Sequence, residues 1–295
     1  LPKAPVVLGH EVAGEIVEVR GNVKKFKPGD RVVATHHVPC NTCYHCLKGN
    51  HSACSTLRNT HFYPGGFSEY IRIPAINVDR GVLKLPDNVS YEQGSFVEPL
   101  GCVVRGQRIA GFEIGSSVLI IGCGMTGLLN LQYARAQGAG KIFATDINDF
   151  KLKKAKELGA DHVIRADNNV QDKIQELNEG RLAEFIVVNT GAAAAVESAL
   201  SLIEHGGTIL YFAPSDPGYK LSFDYNEIWW KGVKIISSYA AAGRDLHIAL
   251  NMISTEMVNV TDMITHRLPL RSTQKGFELV AKSQDSIKVI IEPQS

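Results

Sequence analysis

Net charge, long apolar runs and cysteine are all scarce in this sequence. Its 31 lysines and arginines are balanced by 30 aspartates and glutamates, well mixed along the chain. No basic face therefore offers itself to a phosphate backbone or an anionic membrane surface, and neither nucleic acid nor membrane is an expected partner. Apolar runs such as Val118 to Ile121 fall far short of the roughly 20 residues that cross a bilayer. The opening LPKAPVVLGHE has no charged stretch leading into a long apolar core. A soluble, cytoplasmic protein is expected. No internal repeat or low-complexity segment stands out. What is present, 44% hydrophobic and 21% charged residues over 295 positions, is enough material for two ordinary domains.

Only six cysteines occur, yet four of them crowd into PCNTCYHCLKGNHSAC as C-x2-C-x2-C-x7-C: Cys40, Cys43, Cys46 and Cys54. Four soft ligands at this spacing suit a tetrahedral zinc site. Disulfides are the alternative, but they belong to oxidising compartments, and bridges between such close neighbours would be strained. An iron–sulfur cluster is another, although its usual run closes with a spacing of three and then C-P, whereas Ser55 follows here. Four thiolates leave no open coordination position, so this zinc is expected to pin a loop and perform no chemistry. His45 and His51 inside the loop, and His36 and His37 before it, are read as solvated or packing residues. A zinc-ribbon interaction module fits the loop alone.

From about Val6 to Ile76 the chain runs in short alternating stretches such as EIVEVRGNV and RVVATHHV, with a turn signal at Lys27 to Asp30. An irregular β-rich domain is expected there. From Gly115 the texture changes to six apolar strand candidates, SVLIIG, KIFATD, HVIRA, EFIVVNT, GTILYFA and VKIISSYA, separated by helical patterns. That alternation predicts an α/β fold, a doubly wound parallel sheet. Helices are read at 127–137, 148–158, 170–178, 193–204 and 244–254, and the stretch from about Val258 is expected to pack back on the first domain.

The first strand-to-helix junction reads GCGMTG. Gly122, Gly124 and Gly127, with Met125 and Thr126 between them, fill the G-x-G-x-x-G of a dinucleotide site, where a helix N-terminus faces the pyrophosphate. The next strand ends at Asp146, placed to accept the ribose hydroxyls and to repel a 2′-phosphate, so NAD is expected rather than NADP. Lys151 falls within reach of the same ribose region, and Thr190 and Gly191, which close the fourth strand of this half, are candidates for the nicotinamide side.

Taken in order, GHEVAGEIVEV, KPGDRV, the four-cysteine loop, GGFSEY, VEPLG and GCGMTG resemble the zinc-dependent medium-chain alcohol dehydrogenases. Within them, EPL most resembles the polyol branch with sorbitol (L-iditol) and threonine dehydrogenases. The resemblance implies a GroES-like catalytic domain over 1–110 and 258–295, a Rossmann domain over 111–257, a catalytic zinc in the cleft, and a homodimer or homotetramer. It also implies that His10 ligates the metal, that Glu98 ligates it or holds its water, that Glu11 ligates it or supports its ligands, and that His61, ahead of GGFSEY, lies near substrate. Such a zinc acidifies an alcohol, and the nicotinamide accepts the hydride.

The family's first catalytic ligand is a cysteine further upstream than this chain reaches, so an N-terminal segment is expected to be missing and catalytic zinc to be held weakly. Cys102 is read as a buried structural thiol. Arg20 stands where the family usually has glycine, with Gly21 as the substitute for the turn. Two rival functions stay open: a zinc-independent NADPH reductase of the same superfamily, and a non-catalytic remnant that binds NAD.

Overall fold

A computed structural model describes residues 6–21, 23–167 and 169–294. The chain forms two compact units, one made of the residues up to Val104 with Ala240–Glu256 and Val260–Ser295, the other of Arg105–Tyr239 with Met257–Asn259.

In the first unit, strands β1 (Val12–Glu15), β2 (Arg31–Ala34) and β3 (Val82–Lys84) make an antiparallel sheet in that order. The KPGD turn sets its register. Asp30 Oδ2 accepts from the Lys27 amide at 2.9 Å, Gly29 takes φ +86°, and the Ile16 and Asp30 backbones pair across the base of the turn. Gly21 likewise has a positive φ, of 67°. Val32, Ala34, Phe62 and Val82 form the core beneath the sheet, with Val12, Phe26 and Ile73 packed against it. The strands hold only three or four residues each. Loops and short helices carry the rest, so the expected β-rich domain is more loop than sheet. A capping box between Ser90 and Gln93 starts the turn that leads into the helix Val97–Ile109.

The second unit holds β4 (Val118–Ile121), β5 (Ile142–Asp146), β6 (His162–Arg165), β7 (Ala183–Val188), β8 (Ile203–Tyr211) and β9 (Lys234–Ser237). All pair in parallel in the order β6-β5-β4-β7-β8-β9. These are the six strands read from the sequence. Central strands of such a sheet are covered on both faces and so are apolar throughout; Val118 to Ile121 are buried without exception. The order reverses beside β4, which places the loops after β4 and β7 at the switch point where open α/β sheets bind ligands.

The return segment carries β10 (Ile264–Pro269) and β11 (Lys288–Glu292), a parallel pair joined through the helix Thr273–Lys282. The units divide the chain at other points than 110/111 and 257/258. The first division falls inside the helix Val97–Ile109, which the sequence reading had left unassigned. The helix Gly243–Ser254, read with the Rossmann half, belongs to the first unit. Its buried Leu246 lies against Gly101, and its Ser254 carbonyl accepts from Asn88 Nδ2 at 2.8 Å. Met257–Asn259 stay with the second unit through a reciprocal pair, Gln132 Nε2 to Asn259 O and Asn259 N to Gln132 Oε1. No helix among the described residues is long and apolar enough to cross a membrane.

Candidate functional site

The four-cysteine loop folds around its own thiols. All four are unpaired, and their Sγ atoms lie within 4.8 Å of one another. Cys40 and Cys46 approach to 3.9 Å, close to the roughly 3.8 Å between thiolates on a tetrahedral zinc with 2.3 Å bonds. Backbone amides point at the sulfurs, Cys43 N at Cys40 Sγ and Cys40 N at Cys54 Sγ. Hydrogen bonds from Thr42, and then from Cys43, bring the Cys40 thiol down to about 5, whereas burial pushes Cys46 up to about 12. Amide-lined sulfurs are matched to anionic thiolates, so this donor set fits zinc. His45 is solvent-exposed, as expected of a residue the site does not use.

In the first unit, GHE and GGF form one structure. Gly66 N donates to Gly9 O and Phe67 N to Leu8 O, and a Cβ on Gly66 would sit 2.7 Å from the Gly9 carbonyl carbon. This contact fixes His10. Its Nε2 lies 3.9 Å from Glu98 Oε2, which projects from the first turn of the helix Val97–Ile109. Glu98 is 6% exposed, walled by Val33, Ala34, Leu83, Val97 and Leu246. Burial, and then the charge of Glu11, push its carboxyl up to about 8 against the pull of Lys288. A carboxyl in that state gains from a cation placed beside it. The residues present therefore fit a metal.

The structure surrounds this pair with residues that the motifs did not name. Glu11 is not a member of the ligand cluster; its carboxylate is paired with the Lys288 ammonium at the start of β11, which also lies over the Phe96 ring. The cluster is instead His10, Glu98 and His36. His36 Nδ1 is buried and has no hydrogen-bond partner among the described residues. A packing histidine was expected, because nothing in the sequence distance between His36 and His10 says that a strand end brings them together. Lys288 was not singled out at all; its one signal is a charge leading the apolar run KVII. Cys102, one helical turn after Glu98, donates to Glu98 Oε1 at 3.7 Å, and burial holds its thiol protonated. His61 stands near the same group, its ring 6.2 Å from those of His36 and His37.

In the second unit, Gly122 has φ +88°, and a Cβ on Gly127 would lie 1.9 Å from Gly122 O, so neither position admits a side chain without displacing the turn. Gly124 caps the helix Met125–Ala136 and faces open space. Asp146 Oδ2 accepts from Cys123 N at 2.7 Å and Oδ1 from Asn148 N at 2.9 Å, which ties the end of β5 to the glycine loop. Asn148 caps the helix Asp149–Glu157, and Lys151 sits in its first turn. Thr190 Cγ2 would be 3.4 Å from a Cβ on Gly122, and Gly191 packs on the Pro214 carbonyl. Met125 and Thr126 occupy the first turn, where the Thr126 carbonyl accepts from Asn130. Asn130 also bonds Asn189 and Gln107. This buried polar chain, absent from the sequence reading, holds the β7 loop against the nucleotide helix.

The family described as alcohol dehydrogenase GroES-like domain matches residues 1–87, and that described as zinc-binding dehydrogenase matches residues 126–255. L-threonine 3-dehydrogenase of Bacillus velezensis is 34% identical over 99% of this chain and 83% of its own length. Sorbitol dehydrogenase 2 of Saccharomyces cerevisiae is 31% identical over 98% and 82%. The crystal structure of 2R,3R-butanediol dehydrogenase from Bacillus subtilis superposes with a TM-score of 0.85 at 26% identity, covering 99% of this chain and 82% of that one. With thiol loop, buried glutamate and glycine turn all in place, the chain belongs to the zinc-dependent medium-chain alcohol dehydrogenases, on their polyol and threonine dehydrogenase branch, and is an alcohol or polyol oxidoreductase.

Proposed function

We propose that the enzyme oxidises a secondary alcohol, in a small polyol or comparable hydroxy compound, with NAD as hydride acceptor. Catalytic zinc is assigned to His10 and Glu98, and structural zinc to Cys40, Cys43, Cys46 and Cys54. The observation that carries this reading is the 3.9 Å approach of His10 Nε2 to Oε2 of the buried Glu98. Zinc held there would supply Lewis acidity toward a substrate hydroxyl. Glu11 acts through its pair with Lys288, keeping a second negative charge from repelling Glu98 at full strength. The relatives support the substrate class, since threonine, sorbitol and 2R,3R-butanediol all carry secondary hydroxyls.

For the cofactor, the amides at Gly122 to Gly127 and the helix behind them suit a pyrophosphate. Asp146 keeps lone pairs free for ribose hydroxyls beside the Cys123 and Asn148 amides, and its charge disfavours a 2′-phosphate. Lys151, Thr190 and Gly191 are assigned to the same site. Six unpaired cysteines support a reducing, cytoplasmic setting. Strand β9 ends the sheet, and the exposed Trp229 and Trp230 precede it. An open edge of this kind is suited to pairing with a second copy, which supports a homo-oligomer.

The test is NADH formation against a panel of polyols, threonine and simple secondary alcohols. NAD-linked turnover of at least one of them, lost in His10→Ala, is expected. Chelator-insensitive activity confined to NADPH would instead select a zinc-independent reductase. Bound NAD without turnover of any substrate would select a non-catalytic remnant.

A further inference from the structure

We infer that Asn130 is a positioning residue for the nicotinamide end of the cofactor, acting through Asn189 on the loop of Thr190 and Gly191. The inference rests on the assignment of that loop to the nicotinamide side. Asn130 stands on the nucleotide helix Met125–Ala136 among Leu128, Leu129 and Leu131, all of them fully enclosed, as it is itself. Packing alone would be served by another leucine at this position, since leucine is the better helix former and an enclosed amide is costly unless its polar atoms are bonded.

The Asn130 amide is bonded throughout, and its bonds have a direction. Nδ2 gives one hydrogen to Thr126 O at 3.0 Å and the other to Asn189 Oδ1 at 2.9 Å, while Oδ1 accepts from Gln107 Nε2 at 3.0 Å. Gln107 Oε1 accepts in turn from Gln137 Nε2, and Asn189 Nδ2 donates to the Val187 carbonyl. Turning the Asn189 amide over would set its Nδ2 against Asn130 Nδ2 and its Oδ1 against the Val187 oxygen, so the chain holds one orientation of that side chain. Asn189 also gives its backbone N–H to Ile121 O at 2.8 Å, and its side chain links the end of β7 to the nucleotide helix. The next residue, Thr190, borders the glycine turn: its Cγ2 lies 3.4 Å from where a Cβ on Gly122 would stand. Thr190 Oγ1 accepts from Ala192 N, and Gly191 packs on the Pro214 carbonyl. Because β4 lies between β5 and β7, Asp146 holds the other flank of the same turn through Cys123 N. The two tethers act at different ends of the cofactor: Asp146 at the adenosine ribose, Asn130 with Asn189 at the nicotinamide.

Calorimetric titration of the zinc-replete enzyme with NADH and with ADP-ribose, which keeps the pyrophosphate and both riboses but lacks the nicotinamide, tests this. Asn130→Leu, close in shape, removes the donor to Asn189. Its dissociation constant for NADH should rise about 10-fold, the worth of a buried acceptor left without its donor, while that for ADP-ribose stays close to wild type. Asn189→Ala cuts the same link from the other end and should show the same split. The double variant should bind NADH no more weakly than the weaker of the two, since one bond can be lost only once. Gly191→Ala displaces the loop directly. If it affects both ligands alike, the loop does not face the nicotinamide, and the inference falls with that reading. If Gly191→Ala shows the split but Asn130→Leu affects both ligands alike, Asn130 serves only the fold and its positioning role is refuted. Should Asn130→Leu not fold, Asn189→Ala carries the test by the same criterion.

Discussion

Replacing Glu98 with glutamine tests the electrostatic argument without touching the fold, since the two side chains have the same shape. In protein whose only zinc is at the four thiolates, the Glu98 carboxyl is raised by burial from 4.5 to about 8. An acid raised in this way binds its proton more tightly folded than unfolded. Stability therefore falls as pH rises from 4.5 toward 8, and is level on either side of that window. With 1.36 kcal/mol per pH unit, remaining protonated costs about 0.8 kcal/mol at pH 5 and about 3.4 kcal/mol at pH 7. The difference, about 2.5 kcal/mol, corresponds to a Tm change on the order of 5 °C for a chain of this size. Glutamine cannot ionise and removes the slope. The assay is thermal unfolding of wild type and Glu98→Gln at pH 5, 6 and 7, with metal content verified at one zinc per chain. Glu98→Gln should gain on wild type as pH rises, and excess zinc should stabilise wild type at pH 7 but not the variant. A stability difference that stays constant from pH 5 to 7 would refute the reasoning.

Three further outcomes are expected. Cys43→Ser should lose the thiolate zinc and lower the temperature at which the Cys40 to Cys54 loop becomes open to proteolysis, while the dissociation constant for NADH, measured by fluorescence on the folded fraction, stays nearly unchanged. Asp146→Ser should shift the NAD over NADP ratio of kcat/KM by about 10- to 100-fold toward NADP, the worth of one or two charge-assisted hydrogen bonds; an unaltered ratio means that Asp146, tied to the Cys123 amide, does not hold the ribose. Ile235→Lys with Trp230→Ser, on the exposed edge beside β9, should lower the mass found by light scattering to that of one chain, and an unchanged mass would remove that edge from the self-association surface.

Features written into consecutive residues were legible. The central parallel strands announce themselves because they are apolar on both faces, as in Val118 to Ile121 and Phe185 to Val188. The glycine turn is equally local: Gly122 needs a positive φ and Gly127 has no room for a Cβ, so composition alone marks it. The thiolate loop is local too, with four ligands inside one short stretch and their own amides to line them. The helix Val97–Ile109 was missed because its proline, Pro99, stands in the first turn, where proline is tolerated yet reads as a break.

By itself, then, the sequence determined the elements whose physics closes within a few residues: the alternating strands and helices, the nucleotide turn, the four-thiol clamp, and the identities of His10 and Glu98 as a pair through their motifs. Tertiary structure alone decided which side chains share space. It brought Lys288 from the far end of the chain onto Glu11, and turned His36 from the end of β2 toward His10 and Glu98. It also moved the helix Gly243–Ser254 into the first unit. The reason is that burial and charge pairing act through distance in space, where an ion pair or a buried imidazole gains its energy from a neighbour that no local spacing records.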